Sequence, residues 1–260
     1  MILRKKLSCL WTLGICLVAS KSPPNVPSIT DQTFIDECAK AHNEARGRVQ
    51  PTAANMKHMT WDEGLAKTAK AWANKCTFGH NPCLPLALQC HPTFQFVGEN
   101  IWLGALTIFT PKSAVDLWYN ETKFYDFNRL SCSKVCGHYT QVVWANSYKV
   151  GCGITVCPKL GGPDTTLFVC DYGPAGNYAN MPPYTNGTPC SLCEKGDTCL
   201  KQLCRKQKGN KIIMAFYLES KVSKNSLYFK IWLLHFIEKT RFDCCYMMKH
   251  NKSFVINDHI

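Results

Sequence analysis

The chain has 260 residues, a net charge of +12 and 17 cysteines. The charge is unevenly placed, with +3 from residues 1–20, +2 from residues 21–204 and +7 from residues 205–260. A nearly neutral middle excludes nucleic-acid binding as the main role, and the cysteine count points to an oxidising compartment.

The N-terminus carries Arg4, Lys5 and Lys6, an apolar run from Leu7 to Ala19, and Ser20 before Lys21, which reads as a secretory signal peptide over residues 1–20. The run is shorter than the roughly 20 residues that cross a bilayer, so removal near Ser20 is expected rather than anchoring. Cys9 and Cys16 leave with it, and the remaining fifteen cysteines are disulfide candidates, at least one of them unpaired. Asn120-Glu121-Thr122, Asn186-Gly187-Thr188 and Asn251-Lys252-Ser253 are glycosylation acceptors by sequence, and Asn120 and Asn186 lie in the region expected to fold.

From Thr33 to Val49, Phe34, Ile35, Cys38, Ala41, Ala45 and Val49 recur with helical spacing behind Thr30 and Asp31 as N-cap candidates. A second helix is expected from Asp62 to Lys75, with Leu65, Ala66, Ala69, Trp72 and Ala73 on one face. A third is expected from Pro111 to Tyr125, with proline at its start and Ala114, Val115, Trp118 and Tyr119 facing inward. After Cys136 the pattern changes to short β-prone runs, Thr140–Trp144, Val150–Val156 and Leu167–Tyr172, which read as strands of an antiparallel sheet. Helices around a sheet make an α+β sandwich of about 160 residues, large enough for one real core. Trp61, Trp72, Trp102, Trp118 and Trp144 read as core rings, and His58 and His91 as ordinary surface or loop residues.

Residues 190–204 hold Cys190, Cys193, Cys199 and Cys204 in a segment too short to own a core, so it must be stapled. A zinc knuckle competes with disulfides there, and secretion with no nearby histidine favours disulfides. From Lys211 onward no domain is legible. Leu227–Ile237 is apolar but only eleven residues long and interrupted by Lys230, so it is neither a transmembrane helix nor the tail of a glycolipid-anchor signal. A short amphipathic helix is one reading of it, and poorly ordered or alternatively spliced sequence is the favoured one.

Two long motifs identify the family. Gly137-His138-Tyr139-Thr140-Gln141-Val142-Val143-Trp144-Ala145-Asn146-Ser147 places a histidine directly before an apolar run expected to be a strand, and Phe168-Val169-Cys170-Asp171-Tyr172-Gly173-Pro174-Ala175-Gly176-Asn177-Tyr178 follows. Together they resemble the two signatures of the CAP superfamily (cysteine-rich secretory proteins, antigen 5, pathogenesis-related 1), and the run from Met59 to Tyr178 is similar to its glioma-pathogenesis-related branch. The resemblance covers about residues 33–204. It implies an α-β-α sandwich over residues 21–180, a cysteine-rich hinge over 181–204 and a divergent tail over 205–260. It also implies the pairings Cys76 with Cys157 and Cys152 with Cys170, and in families with such a knot Cys190 with Cys199 and Cys193 with Cys204. A third bridge of the venom and sperm members lacks both partners here, at Val97 and Gly173. Cys83 and Cys90 are close enough to close a small loop, while the pairing of Cys38, Cys132, Cys136, Cys244 and Cys245 stays open. Asp171 replaces the Asn, Gln, Arg, His or Ser usual at its position in the second signature.

The same resemblance gathers His80, Glu99, Glu121 and His138 in a central cleft. Two neutral imidazoles with two carboxylates suit a divalent ion such as Zn2+ with positions open to water or ligand. A polar hydrogen-bonded cluster is the plain alternative, and a hydrolytic centre a third, disfavoured because no G-x-S-x-G elbow and no H-E-x-x-H occurs. His42-Asn43-Glu44-x-Arg46 reads as a structural network tying the first helix to the sheet. The expected protein is secreted or on the cell surface and non-enzymatic, recognising a protein partner on sperm or egg, with sterol or lipid binding and a metal-dependent or Ser/His/Glu hydrolase as alternatives. The branch implies expression in the male reproductive tract and a role on sperm in egg binding. The ten-cysteine channel-regulating domain of the secretory members is absent from the sequence, so channel blocking has no support.

Overall fold

The structure, a computed structural model, describes residues 25–207. The expected signal peptide, the tail from residue 208, Cys244, Cys245 and Asn251 lie outside the described residues. Helix α1 (Gln32–Arg46) starts where the Asp31 side chain accepts from the Thr33 amide, strand β1 is Thr60–Trp61, and α2 (Glu63–Ala73) is capped by Asp62 accepting from the Leu65 amide. Strand β2 (Gly98–Ala105) follows. Helix α3 (Pro111–Tyr119) opens with a reciprocal Thr110–Ser113 capping box and a proline whose missing N–H costs nothing at that position. A 3-10 turn over Asn120–Phe124 leads to the β3 (Tyr125–Asp126) and β4 (Ser131–Cys132) hairpin. Then come α4 (Gly137–Val142), β5 (Lys149–Val156), β6 (Thr165–Gly173) and the hinge hairpin β7 (Asp197–Leu200) and β8 (Leu203–Lys206).

The central sheet has the order β1-β5-β6-β2. Its β5–β6 and β2–β6 pairs are antiparallel, but β1 runs parallel to β5, so the sheet is mixed rather than antiparallel throughout. One face packs on α2, where Ala69 and Ala73 meet Leu167 and Val169. Gly151 and Gly153 make that contact close, because a Cβ at either would collide with the α2 backbone at Ala66 or Lys70. The opposite face carries Val150, Ile154, Phe168 and Tyr172 against Phe34, Val115 and Trp118, giving the α-β-α layering of an α+β sandwich.

The run Thr140–Trp144, expected as a strand, belongs instead to α4 and the turn that ends it. Every residue from Tyr139 to Ala145 is buried, so no polar alternation reveals the period, and a helix this short leaves no periodic record in sequence. The carbonyls at and just beyond the end of α4 are met by Arg46, which donates from Nη1 to Val142 O and Trp144 O and from Nη2 to Ala145 O. Strand β2 was not legible as a strand, although all eight of its residues pair with β6.

Six disulfides form among the described residues: Cys76–Cys157, Cys83–Cys90, Cys132–Cys136, Cys152–Cys170, Cys190–Cys199 and Cys193–Cys204. Cys38 is a buried free thiol that burial holds well above its ordinary pKa. The hinge is strapped to the sandwich, since Cys204 donates its amide to Met56 O and accepts from the His58 amide, each at 2.8 Å. His91 is buried rather than a surface residue: its imidazole bonds Asp62 at 3.2 Å and lies 4.7 Å from the Phe94 ring, fastening the loop after Cys90 to the start of α2.

Candidate functional site

The four residues singled out in the sequence appear as two His–Glu pairs. His80, in the loop after α2, places Nδ1 2.7 Å from Glu99 Oε1, and the same oxygen accepts from the Asn81 amide. The His80 side chain is 63% exposed while that of Glu99 is fully covered, so a buried carboxyl group holds an imidazole that faces solvent. This hydrogen bond raises the His80 pKa above its ordinary value, against the opposing effect of partial burial. His138, in the first turn of α4, places Nδ1 2.7 Å from Glu121 Oε1, and Glu121 Oε2 accepts from the backbone amides of His138 and Tyr139. Glu121 comes from the 3-10 turn after α3, and Trp118 one turn earlier stacks on the His138 ring at 6.4 Å and 11°.

The pairs approach the edge strand β2 from opposite sides. Alternation along β2 sends Glu99, Ile101 and Leu103 toward the α2 face, whereas Gly98 abuts Gln141 of α4 and Trp102 joins the core on the other face. Among the described residues, the only group of three or more Cys, His, Asp or Glu whose ligand atoms all lie within 4.8 Å is Cys190, Cys193 and Cys204, each in a disulfide. The four site residues are thus joined pairwise, by the His80–Glu99 and His138–Glu121 bonds.

Sequence reasoning missed the residues that bind the pairs to the core. Asn100 Nδ2 donates to His138 O at 3.0 Å and to Tyr172 Oη at 3.2 Å. His42 Nδ1 donates to Cys38 O, so its Nε2 accepts from the Tyr172 hydroxyl at 2.9 Å. Burial first, and then the nearby Arg46 charge, hold His42 neutral with a pKa lowered to about 4, despite the contrary pull of the Cys38 carbonyl. A hydrogen-bonded chain thus runs from α1 through β6 and β2 to the backbone of α4. The signal was present, since Asn100 sits within Gly98-Glu99-Asn100. The network expected of the first helix also includes Asn43, which brackets Met59 N and O, and Arg46, but not Glu44, which faces solvent and meets only Lys40 at 3.9 Å.

Asp171 is the other residue whose importance sequence understated. It stands opposite Glu99 in the ladder, is fully buried, and neither of its oxygens finds a partner among the described residues; Glu99 Oε2 is likewise unpartnered. Burial, and then the charge of Glu99, push its carboxyl well above the ordinary range.

No hydroxyl or thiol hydrogen-bonds either site imidazole among the described residues. Ser113, in the first turn of α3, spends its hydroxyl on Thr110 in the capping box. A cavity of about 800 Å3 between α1 and the β7–β8 turn is lined by none of the four.

A search of known families agrees with these motifs: the profile of the cysteine-rich secretory protein family (CAP) matches residues 39–172. The chain belongs to the CAP family. This CAP protein is 67% identical over 211 residues to GLIPR1-like protein 1 of Bos taurus, covering 81% of this chain and 87% of that one. Among solved structures it resembles BmVAL-1, with a TM-score of 0.57 and 26% identity over 68% of this chain and 96% of that one. It also resembles NaASP2 with Zn2+, with a TM-score of 0.52 and 28% identity over 71% of this chain and all of that one. The CAP fold thus accounts for the sandwich. No described helix is long and apolar enough to cross a membrane.

Proposed function

We propose that this CAP protein is secreted, is non-enzymatic, and acts on the sperm surface as a recognition protein in egg binding. The observation that carries the non-enzymatic part is the state of the site: each glutamate fixes an Nδ1 atom and backbone amides, and among the described residues no hydroxyl or thiol hydrogen-bonds either imidazole. Six disulfides favour an oxidising, extracytoplasmic setting. The sperm role rests on the resemblance to the glioma-pathogenesis-related branch, with which the 67% identity to GLIPR1-like protein 1 agrees. Asn120 and Asn186 are both exposed, which suits them as glycan acceptors.

A divalent cation at the cleft is a second reading, favoured by the donor set. A carboxylate that fixes Nδ1 of an imidazole leaves Nε2 free and more basic, which is how metal-binding histidines are commonly oriented. His80 and His138 would hold the ion, with Glu99 and Glu121 as orienting partners rather than ligands. A bound Zn2+ would supply a Lewis acid that polarises a ligand oxygen. The solved likeness to a Zn2+-containing CAP protein supports the reading.

Two measurements test these statements separately. The full secreted protein should compete in a sperm–egg binding assay with saturable dose dependence, and a folded, glycosylated protein that fails to compete overturns the recognition role. Zn2+ titration calorimetry on wild type and the His80→Ala/His138→Ala protein tests the ion. Binding lost in the double variant supports it, and no binding by folded wild type ends both the cation reading and any zinc hydrolase.

A further inference from the structure

We propose that the concavity between α4, the β3–β4 hairpin and the segment around Asn177–Pro183 is a docking site for one apolar side chain of a protein partner, flanked in that partner by carboxylates. The inference rests on the recognition role proposed above and gives it a place. The cavity measures about 210 Å3, space for a single large side chain rather than a drug-sized ligand, which fills roughly 300 Å3 or more. Trp144 and Pro183 are buried against it, and Leu130, Tyr178 and Met181 stand at its rim with 38%, 47% and 53% of their surface exposed. Aromatic rings and methionine around a concave centre are what protein interfaces concentrate.

Three observations go beyond exposure. First, no acidic residue lines the cavity, while basic residues adjoin it. Lys123 and Lys134 both lie over the ring of Phe124, which precedes the lining residue Tyr125, at 5.0 and 5.3 Å, whereas Arg129 is paired with Asp126 at 3.7 Å, so the two lysines supply the positive margin. This cationic margin selects acidic flanks. Second, the walls are rigid before binding: the Cys132–Cys136 disulfide closes the turn, and Asn177 accepts from Thr140 Oγ1 at 2.7 Å while donating to Gly137 O at 2.8 Å. A preorganised rim avoids the ordering cost that weakens most loop-built surfaces. Third, Gly137 and Thr140 line the cavity while His138 between them faces Glu121, so the first turn of α4 is shared by the docking site and one His–Glu pair.

The test is selection of a randomised peptide phage library on the immobilised full secreted chain. Enriched peptides should carry a large apolar residue beside Asp or Glu. Their binding should fall at least about tenfold on Leu130→Glu/Met181→Glu and on Lys123→Glu/Lys134→Glu, and stay unchanged on Leu192→Glu, an exposed apolar residue outside the cavity. All substituted side chains are exposed, and thermal unfolding confirms that each variant folds. Enriched peptides that keep their affinity for the rim variant, or that are basic, overturn the assignment while leaving recognition standing. No enrichment on folded protein also overturns it, and the sperm–egg competition assay then decides independently whether the recognition role survives. Binding to phosphatidylserine vesicles that is abolished by the rim variant, with no peptide enriched, would replace a protein partner with a membrane.

Discussion

Asp171 and Glu99 face each other across the β2–β6 ladder, two carboxyls in one covered site with only the His80 and Asn81 donors between them. A buried carboxylate without a partner costs on the order of several kcal/mol, so Asp171 is carried as the neutral acid. Its folded pKa is raised above the unfolded value, so its contribution to stability is fully present below about pH 4 and is lost as pH rises through the folded pKa. Asp171→Asn keeps the shape and supplies a permanent donor toward Glu99. The variant should be more stable than wild type at pH 7 by about 2 kcal/mol, with the gain vanishing near pH 4. Urea midpoints at both pH values check this, and an equal or negative shift at pH 7 would show that Asp171 has a partner.

His42 has the opposite sign. Its folded pKa of about 4 lies below the ordinary histidine value, so stability is intact above about pH 6.5 and falls as pH drops toward 4. The full loss is on the order of 3 kcal/mol, read as the difference between wild type and His42→Gln so that the Asp171 contribution cancels. An NMR titration that finds the His42 ring protonated at pH 6 would contradict the neutral Nδ1–H form on which the Tyr172 and Asn100 bonding directions depend.

Arg46 has no carboxylate partner and makes five hydrogen bonds to four carbonyls, those of Lys57, Val142, Trp144 and Ala145. Burial lowers its pKa to about 9. Lysine cannot reproduce the planar fork, so Arg46→Lys should destabilise the domain by roughly 3 kcal/mol or more. Amide exchange should rise first at the end of α4. A variant as stable as wild type would mean those carbonyls find other donors.

If the glutamates orient the imidazoles rather than ligate an ion, Glu99→Gln and Glu121→Gln should each weaken Zn2+ binding by about 10- to 100-fold without abolishing it. His80→Ala/His138→Ala should abolish it. Calorimetry that finds no Zn2+ binding in either glutamine variant would make the carboxylates ligands.

The helices were legible because their apolar positions recur along one face: α1 and α2 lie within about three residues of expectation, and α3 ends early only because its last turn tightens at Asn120. Strand β2 hid behind glycines and Glu99-Asn100, whose polarity reflects the site it carries rather than exposure. Helix α4 hid because a six-residue helix buried from Tyr139 onward looks like a strand, and the Arg46 that meets the carbonyls at its end lies nearly a hundred residues earlier. The His and Glu residues were found through the family motifs, but which glutamate meets which histidine depends on β2 and the turn after α3 presenting Glu99 and Glu121, which no motif states. The Cys132–Cys136 link joins the end of the β3–β4 hairpin to the start of α4, and sequence spacing alone left it open.

Gly151 and Gly153 let α2 lie directly on β5. His80 hangs from the loop that α2 feeds, whereas Glu99 belongs to the sheet, so the reach between them is set by how deeply that helix sits. Two hydrogen atoms on the same face of the sheet as Glu99, but two strands away, thereby act as the spacer for the imidazole. A methyl group at either position would lift α2 and pull His80 off its carboxylate, leaving every residue of the site chemically intact and its geometry lost.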